Sequence, residues 1–299
     1  MVTPGISSNS QQAGKKDRRE AAREKARIDR EHERRRNRRN KFFIHGGIGA
    51  VIIAALVIIA LVIFNPAPPP STAAPKNMAS NGILLAGKNM EAVPTPAANK
   101  SGVPIATDKT KHAATTNIVI YIDFQCPVCL DFEKTNASAI ESLVKAEKAT
   151  IEIHPIAILE RMSGTNRYST RAANAAACVA NYEPNKFFAV TAELFASQPA
   201  ENAEGKTNRE ILTTLKDAGA ESDEIRDCVK TEKFSQWVGK VTTNIKPDGQ
   251  TKTFAGVANE LTPFRGTPSI FVNGSPYAGS YTDATAFATF VQSVATPAK

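Results

Sequence analysis

Cysteine is scarce in this chain: there are four among 299 residues, at positions 126, 129, 178 and 228. That is too few for the disulfide-dense scaffolds that small secreted domains use in place of a core. Only one Cys-x-x-Cys occurs, so a zinc site made of two such pairs is excluded, and the four histidines lie scattered at 32, 45, 112 and 154. Basic excess is also missing from most of the sequence. Residues 15–41 hold fourteen Lys/Arg and six Asp/Glu, and the remainder balances at 23 of each sign. The overall charge of +8 therefore belongs to one short stretch and gives no ground for a nucleic-acid surface on the folded part. Between Phe42 and Pro75 charged residues are absent altogether.

What fills that gap is apolar. From Ile48 to Phe64 every residue is Ala, Val, Ile, Leu, Phe or Gly, and Phe42, Phe43 and Ile44 extend the run. About twenty helical residues at roughly 1.5 Å each cross a hydrocarbon layer of roughly 30 Å. A core helix would keep a polar face, which this run lacks, so a single transmembrane helix is predicted over residues 42–64. Arg34, Arg35, Arg36, Arg38, Arg39 and Lys41 stand directly before it. Such flanking cations stay inside, so the prediction is a cell-membrane protein with a cytoplasmic N-terminus and everything after Phe64 extracytoplasmic. A leader of some forty residues fits an uncleaved anchor better than a cleaved signal peptide, although Ser71-Thr72-Ala73-Ala74 offers small residues for cleavage.

Residues 1–41 read as a basic cytoplasmic tail, with Glu and Arg at spacings that support an exposed helix. Residues 65–115 hold eight of the eighteen prolines, with many Ala, Ser, Thr and Asn, and read as a Pro/Ala-rich linker. Gly82-Ile83-Leu84-Leu85 is a short apolar exception with the pattern of an edge strand.

The folded domain is expected over residues 116–299. Asn117–Ile122 is a continuous β-branched and aromatic run, as in a strand covered on both faces. A helix follows to about Ala149, then a second strand, Ala149–His154. Strand, helix and strand within about forty residues indicate a parallel βαβ unit. An all-helical insertion is predicted over about 160–250, with a capping box at Thr207 and Glu210. Ser222 is expected to cap one longer helix running through Ile225, Cys228, Val229, Trp237 and Val241. Pro268–Val272 returns to β structure, Asn273-Gly274 is a two-residue hairpin turn, Tyr277-Ala278 lies on the returning strand, and residues 282–295 form a last helix.

The chemistry points to Cys126-Pro127-Val128-Cys129. The motif follows a buried strand and opens a helix, where unpaired backbone N–H groups and the positive end of the helix dipole favour a thiolate. Pro127 suits the first helical turn, where its missing N–H costs nothing. Metal binding would need further soft ligands, and a purely structural 126–129 disulfide would close too small a loop to matter for stability. Both readings are weaker than a redox couple. Cys178 and Cys228 fall on apolar faces of two insertion helices. In an oxidising compartment they pair as a structural disulfide; the alternative is two buried thiols acting as small hydrophobes. His154 reads as a strand-end polar residue rather than a catalyst, and Trp237 as core. Tyr121 and Phe124 border a site groove on one reading and pack in the core on the other.

Asp123-Phe124-Gln125-Cys126-Pro127-Val128-Cys129, the order βαβ, helical block, ββα, and Gly266-Thr267-Pro268 before a strand together resemble the DsbA family. The similarity extends to its membrane-anchored actinobacterial type. The resemblance implies an α/β thioredoxin fold with an all-helical insertion, here preceded by a single transmembrane helix. It implies a protein thiol–disulfide oxidoreductase with no cofactor and no metal. Cys126 would be the exposed nucleophile, Cys129 the buried resolving thiol, and Pro268 a cis-proline; a trans proline opening an edge strand is the alternative. Thr267 would present its backbone to a substrate strand. Implied partners are cysteine-containing exported proteins and a membrane quinone-linked reoxidant of the DsbB or vitamin K epoxide reductase kind, with no nucleic acid. A disulfide reductase or isomerase of the same fold is the alternative function, and a membrane-tethered holdase a further one. Two positions depart from the family pattern. Ile120 stands where such enzymes place a buried acid, a role for which Asp123 is a partial replacement or else only a helix cap. Val128 stands where strongly oxidising members carry histidine.

Overall fold

The computed structural model describes residues 24–25, 27, 30–36, 71–108, 110–112, 115–245, 264 and 266–295. By its internal contacts the chain divides into Met1–Pro69 and Pro70–Lys299. In the first unit residues 30–36 are helical and exposed, and Arg27 pairs with Glu24 at 2.9 Å. The predicted membrane span, 42–64, lies outside the described residues. Among those described, no helix is long and apolar enough to cross a membrane.

The second unit is built on one six-stranded sheet. Its strands are β1 (Ile83–Ala86), β2 (Glu91–Ala92), β3 (Thr116–Ile122), β4 (Ala149–Pro155), β5 (Ser269–Val272) and β6 (Ser275–Pro276). They are ordered β2-β1-β4-β3-β5-β6. β3 and β4 run parallel, joined by helix α1 (Pro127–Lys145), as the βαβ reading requires. β5 joins β3 antiparallel, pairing Ile120 with Ile270. Asn273 and Gly274 take φ of 48° and 80°, the left-handed pair that a tight hairpin needs. β6 ends at Pro276, so Tyr277 falls just past the returning strand, with its N–H still bonded to Ile270 at 2.9 Å. Helix α7 (Ala284–Ser293) closes the chain, burying Phe287 and Val291.

The expected linker over 65–115 is corrected for most of its length. Residues 71–108 belong to the folded body. Met78, Ile83, Leu84 and Leu85 are fully buried, and β1 lies inside the sheet between β2 and β4 rather than at its edge. Hydrogen bonds to residues far along the chain explain this where composition did not. The Lys76 N–H donates to Asn181 Oδ1 at 2.9 Å, and the Asn77 amide donates to the Ala180 carbonyl at 2.9 Å. Ala and Pro supply little core, but the strand needs only its short apolar run.

The insertion holds helices α2 (Tyr168–Tyr182), α3 (Phe187–Ala196), α4 (Asn208–Asp217), α5 (Asp223–Lys230) and α6 (Ser235–Asn244). The capping box at Thr207 and Glu210 is present. The single long helix expected after Ser222 is instead two, α5 and α6. Glu232 adopts φ 47°, and the Glu232 and Lys233 N–H groups bond back to the Val229 and Cys228 carbonyls at 3.2 and 3.0 Å. That is a Schellman stop, which no glycine announced. The apolar stripe continues across the break because Phe234 and Trp237 are both buried. Cys178 on α2 and Cys228 on α5 form a disulfide.

Candidate active site

Cys126 is the N-cap of α1 and Pro127 its first helical residue. At that position the sulfur lies at the positive end of the helix, where the thiol and backbone of Cys129 both favour its thiolate. The turn that presents it is tied down on three sides. The Cys126 N–H donates to the Asp123 carbonyl at 2.9 Å. The Gln198 amide donates to the Phe124 and Cys126 carbonyls at 2.9 and 3.0 Å. The Gln125 amide donates to the Pro199 and Ala200 carbonyls at 3.1 and 3.0 Å.

The Thr267–Pro268 bond is cis. Across the site the Cys126 thiol donates to the Thr267 carbonyl at 3.2 Å, so residues 141 positions apart meet at the sulfur. The Tyr281 hydroxyl donates to the Pro268 carbonyl at 3.2 Å. All four predicted site residues, Cys126, Cys129, Thr267 and Pro268, are thus brought together. One expectation fails: Cys126 is not exposed, since only 4% of the residue is accessible. The Thr267 carbonyl stands 3.2 Å from its sulfur, and the exposed members of the motif are Pro127 and Val128, the latter at 43%.

Both cysteines stand as thiols with opposite tendencies. Cys126 is lowered from 9.0 to about 7, first by the hydrogen bond from the Cys129 thiol, against the cost of burial and with help from Thr267. Cys129 is pushed well above its ordinary range, first by burial and then by donating to Cys126. A reactive outer sulfur and a held inner one is the division of labour that disulfide exchange needs.

Asp123 does not cap α1, whose N-cap is Cys126. Its carboxylate accepts from the Gln125 and Leu159 N–H groups at 2.9 and 2.8 Å, and from the Ser169 hydroxyl at 2.7 Å. It ties the motif's approach to α2, and burial raises it to about 6. His154 is fully buried, stacked on Tyr121 at 4.3 Å and facing Glu152 at 3.5 Å, so it belongs to the core. Tyr121 and Phe124 are core as well, the latter against Phe195 at 5.2 Å. Sequence reasoning missed Gln198, Tyr281 and Glu133. The first two carry no local signal, being placed by the insertion and by the loop after β6. Glu133 had one, its spacing of one helical turn from Cys129. Among the described residues no group of three His, Cys, Asp or Glu converges on a metal-sized site.

The sequence profile of the thioredoxin family matches residues 111–291, well over half of the chain. The chain belongs to the thioredoxin family. Within that family its fold is DsbA-like, with the helices α2–α6 inserted after β4. The oxidised crystal structure of DsbA from Mycobacterium tuberculosis superposes with a TM-score of 0.53 at 22% identity, covering 71% of this chain and 92% of that one. Oxidised BdbD from Bacillus subtilis gives 0.50 at 15% identity, covering 75% and 98%. Among curated sequences, the serine/threonine-protein kinase PknE of Mycobacterium tuberculosis is 32% identical over 164 residues, 54% of this chain. The chain spans only 28% of the length of that relative.

Proposed function

We propose that this member of the thioredoxin family is an extracytoplasmic protein thiol–disulfide oxidoreductase that introduces disulfides into exported proteins. The observation that carries the reading is the Cys126 thiol at a helix N-terminus, lowered to about 7 and held 3.2 Å from the Thr267 carbonyl, with Cys129 buried behind it. A substrate thiolate attacks Cys126 of the Cys126–Cys129 disulfide and forms a mixed disulfide, while Cys129 leaves with the electron pair. The substrate's second thiol then releases Cys126, and the enzyme is left as a dithiol. A lowered Cys126 stabilises that dithiol form, which drives the couple towards oxidation of the substrate.

The predicted span at 42–64, uncleaved, would hold the catalytic body outside the cell membrane with the N-terminus inside. A membrane quinone-linked partner, DsbB-like or related to vitamin K epoxide reductase, would return the dithiol to the disulfide. The second reading is a reductase or isomerase of the same fold, which Val128 favours by withholding the positive charge a histidine would lend the thiolate.

Thiol trapping of the full chain in its native cells separates the two. Recovery mainly as the Cys126–Cys129 disulfide supports the oxidase, and recovery mainly as the dithiol sinks it. In vitro, Cys126→Ser and Cys129→Ser should each abolish oxidation of a reduced two-cysteine peptide. A merely tethered holdase would keep its peptide affinity in both variants.

A further inference from the structure

The turn from Gly266 to Ser269 runs past Cys126, and successive carbonyls of it are each held by a side-chain donor. The Ser269 hydroxyl donates to the Gly266 carbonyl at 2.6 Å, within the turn itself. The Cys126 thiol donates to the Thr267 carbonyl at 3.2 Å. The Tyr281 hydroxyl donates to the Pro268 carbonyl at 3.2 Å. Of these bonds, those from Cys126 and Tyr281 reach the turn from outside it. In the Cys126–Cys129 disulfide the sulfur carries no proton, so the bond to Thr267 is lost and that from Tyr281 remains.

Helix α1 and the aromatic residues around it fix where the phenol stands. The buried Asn136 amide donates to the Tyr281 carbonyl and to the Phe132 carbonyl, at 3.1 Å in both cases. The Tyr281 ring meets Phe132 at 6.2 Å and Tyr277 at 6.1 Å, edge to face. Burial, and after it the sulfurs of Cys129 and Cys126, raise the phenol above its ordinary range. It therefore stays a donor at neutral pH, beside a thiolate included.

A peptide cysteine joined to Cys126 brings its own backbone beside the Thr267 carbonyl, since that carbonyl stands 3.2 Å from the Cys126 sulfur. Freed of the thiol proton, the carbonyl can accept a backbone N–H, as when an extended segment adds to a strand. We propose that Tyr281 is a positioning residue for peptide substrates. Through Pro268, its hydroxyl keeps the Thr267 carbonyl aimed at a backbone N–H of the peptide being oxidised. The inference rests on the exchange function proposed above and names what the site selects, an extended cysteine peptide over a small thiol. A small dithiol has no backbone N–H and gains nothing from the hydroxyl.

The oxidised full chain is mixed with a reduced two-cysteine peptide and, separately, with dithiothreitol. A third reaction uses the same peptide N-methylated at its first cysteine and the residues flanking it. Loss of the Cys126–Cys129 disulfide is followed by acid quenching and alkylation. In the wild type, N-methylation should slow the peptide about fivefold, the worth of one hydrogen bond. In Tyr281→Phe the unmethylated peptide should slow by about the same factor, with the methylated peptide and dithiothreitol within about twofold of wild type. The equilibrium of the couple with glutathione should also hold within about twofold, whereas a hydroxyl that only braced the fold would shift it and the dithiothreitol rate together. Tyr281→Phe reacting with the unmethylated peptide at the wild-type rate overturns the proposal, as does an equal loss with dithiothreitol. So does a wild type indifferent to N-methylation, which needs no variant to fold. A wild type reduced by dithiothreitol but by neither peptide refutes the exchange function itself, and the role of Tyr281 with it.

Discussion

Removing the disulfide between α2 and α5 is the sharpest test of what holds the insertion together. The perturbation is the double variant Cys178→Ala, Cys228→Ala. The bridge spans a sequence separation of 50 residues. On the chain-entropy account a loop of that length restrains the denatured state by about 4 kcal/mol. Both sulfurs are buried, at 0% and 2% exposure, so small voids add to the loss. For a domain of this size each kcal/mol moves the melting temperature by about 2–4 °C, which puts the expected fall at about 8–16 °C. Thermal melts followed by circular dichroism, in a Cys126→Ser, Cys129→Ser background, remove any contribution from the second couple. Reducing the parent of that background should reproduce the variant's melt. With Cys126 and Cys129 restored, the double variant should react with a small disulfide probe at the wild-type rate below both melts, because the groups that set the two thiols lie at Asp123, Thr267 and the motif itself. A fall below about 3 °C would refute the entropic account and mean that the 178–228 loop is already restrained when unfolded.

Further outcomes follow from the packing and the titrating groups. A Cβ at Gly82 would stand 2.5 Å from the His154 ring, and that ring is pinned against Tyr121, so Gly82→Ala should cost about 2 kcal/mol in a urea melt. Asp123 and Glu133 are raised to about 6 and about 7 by burial, so stability that is full below about pH 4 is lost as pH rises through those values. The oxidised protein, in which Cys126 does not titrate, should therefore weaken from pH 5 to 8, and a flat or rising profile in chemical denaturation would contradict the assignment. Thiolate absorbance at 240 nm should titrate Cys126 near 7, and Cys129→Ala, which removes the largest cause of the lowering, should raise the midpoint. With Val128 between the cysteines, a glutathione titration should give a potential clearly more reducing than about −120 mV; a value there would refute the role given to Val128.

The site was legible from the chain to an unusual degree because its parts are local or marked by rare residues. Cys126 and Cys129 lie within one helical turn, and Pro268 announces itself before a strand. The Asn273-Gly274 turn and the Thr207 capping box were readable for the same reason: each is a contact between residues a few positions apart. The failures share the opposite cause. Residues 71–108 read as linker because composition counts side chains, while their place in the sheet is decided by backbone pairing with residues far along the chain, such as Ile83 with Ile153. The break between α5 and α6 was hidden because Glu232, not a glycine, takes the left-handed turn.

The sequence by itself determined the βαβ frame, the helical block, the reactive pair and its likeness to one family, since periodicity and short motifs record local geometry. Only the tertiary structure decided how each sulfur is held. Burial against Thr267 set Cys126 apart from the exposed nucleophile expected. The Asp123 carboxylate is held by Ser169 and Leu159, far along the chain from it. Ile120 of β3 and Glu133 of α1 line one small cavity with Cys129, a meeting of strand and helix that their positions along the chain do not report. Electrostatic character depends on what excludes solvent and what donates from nearby, and both are properties of the packed fold.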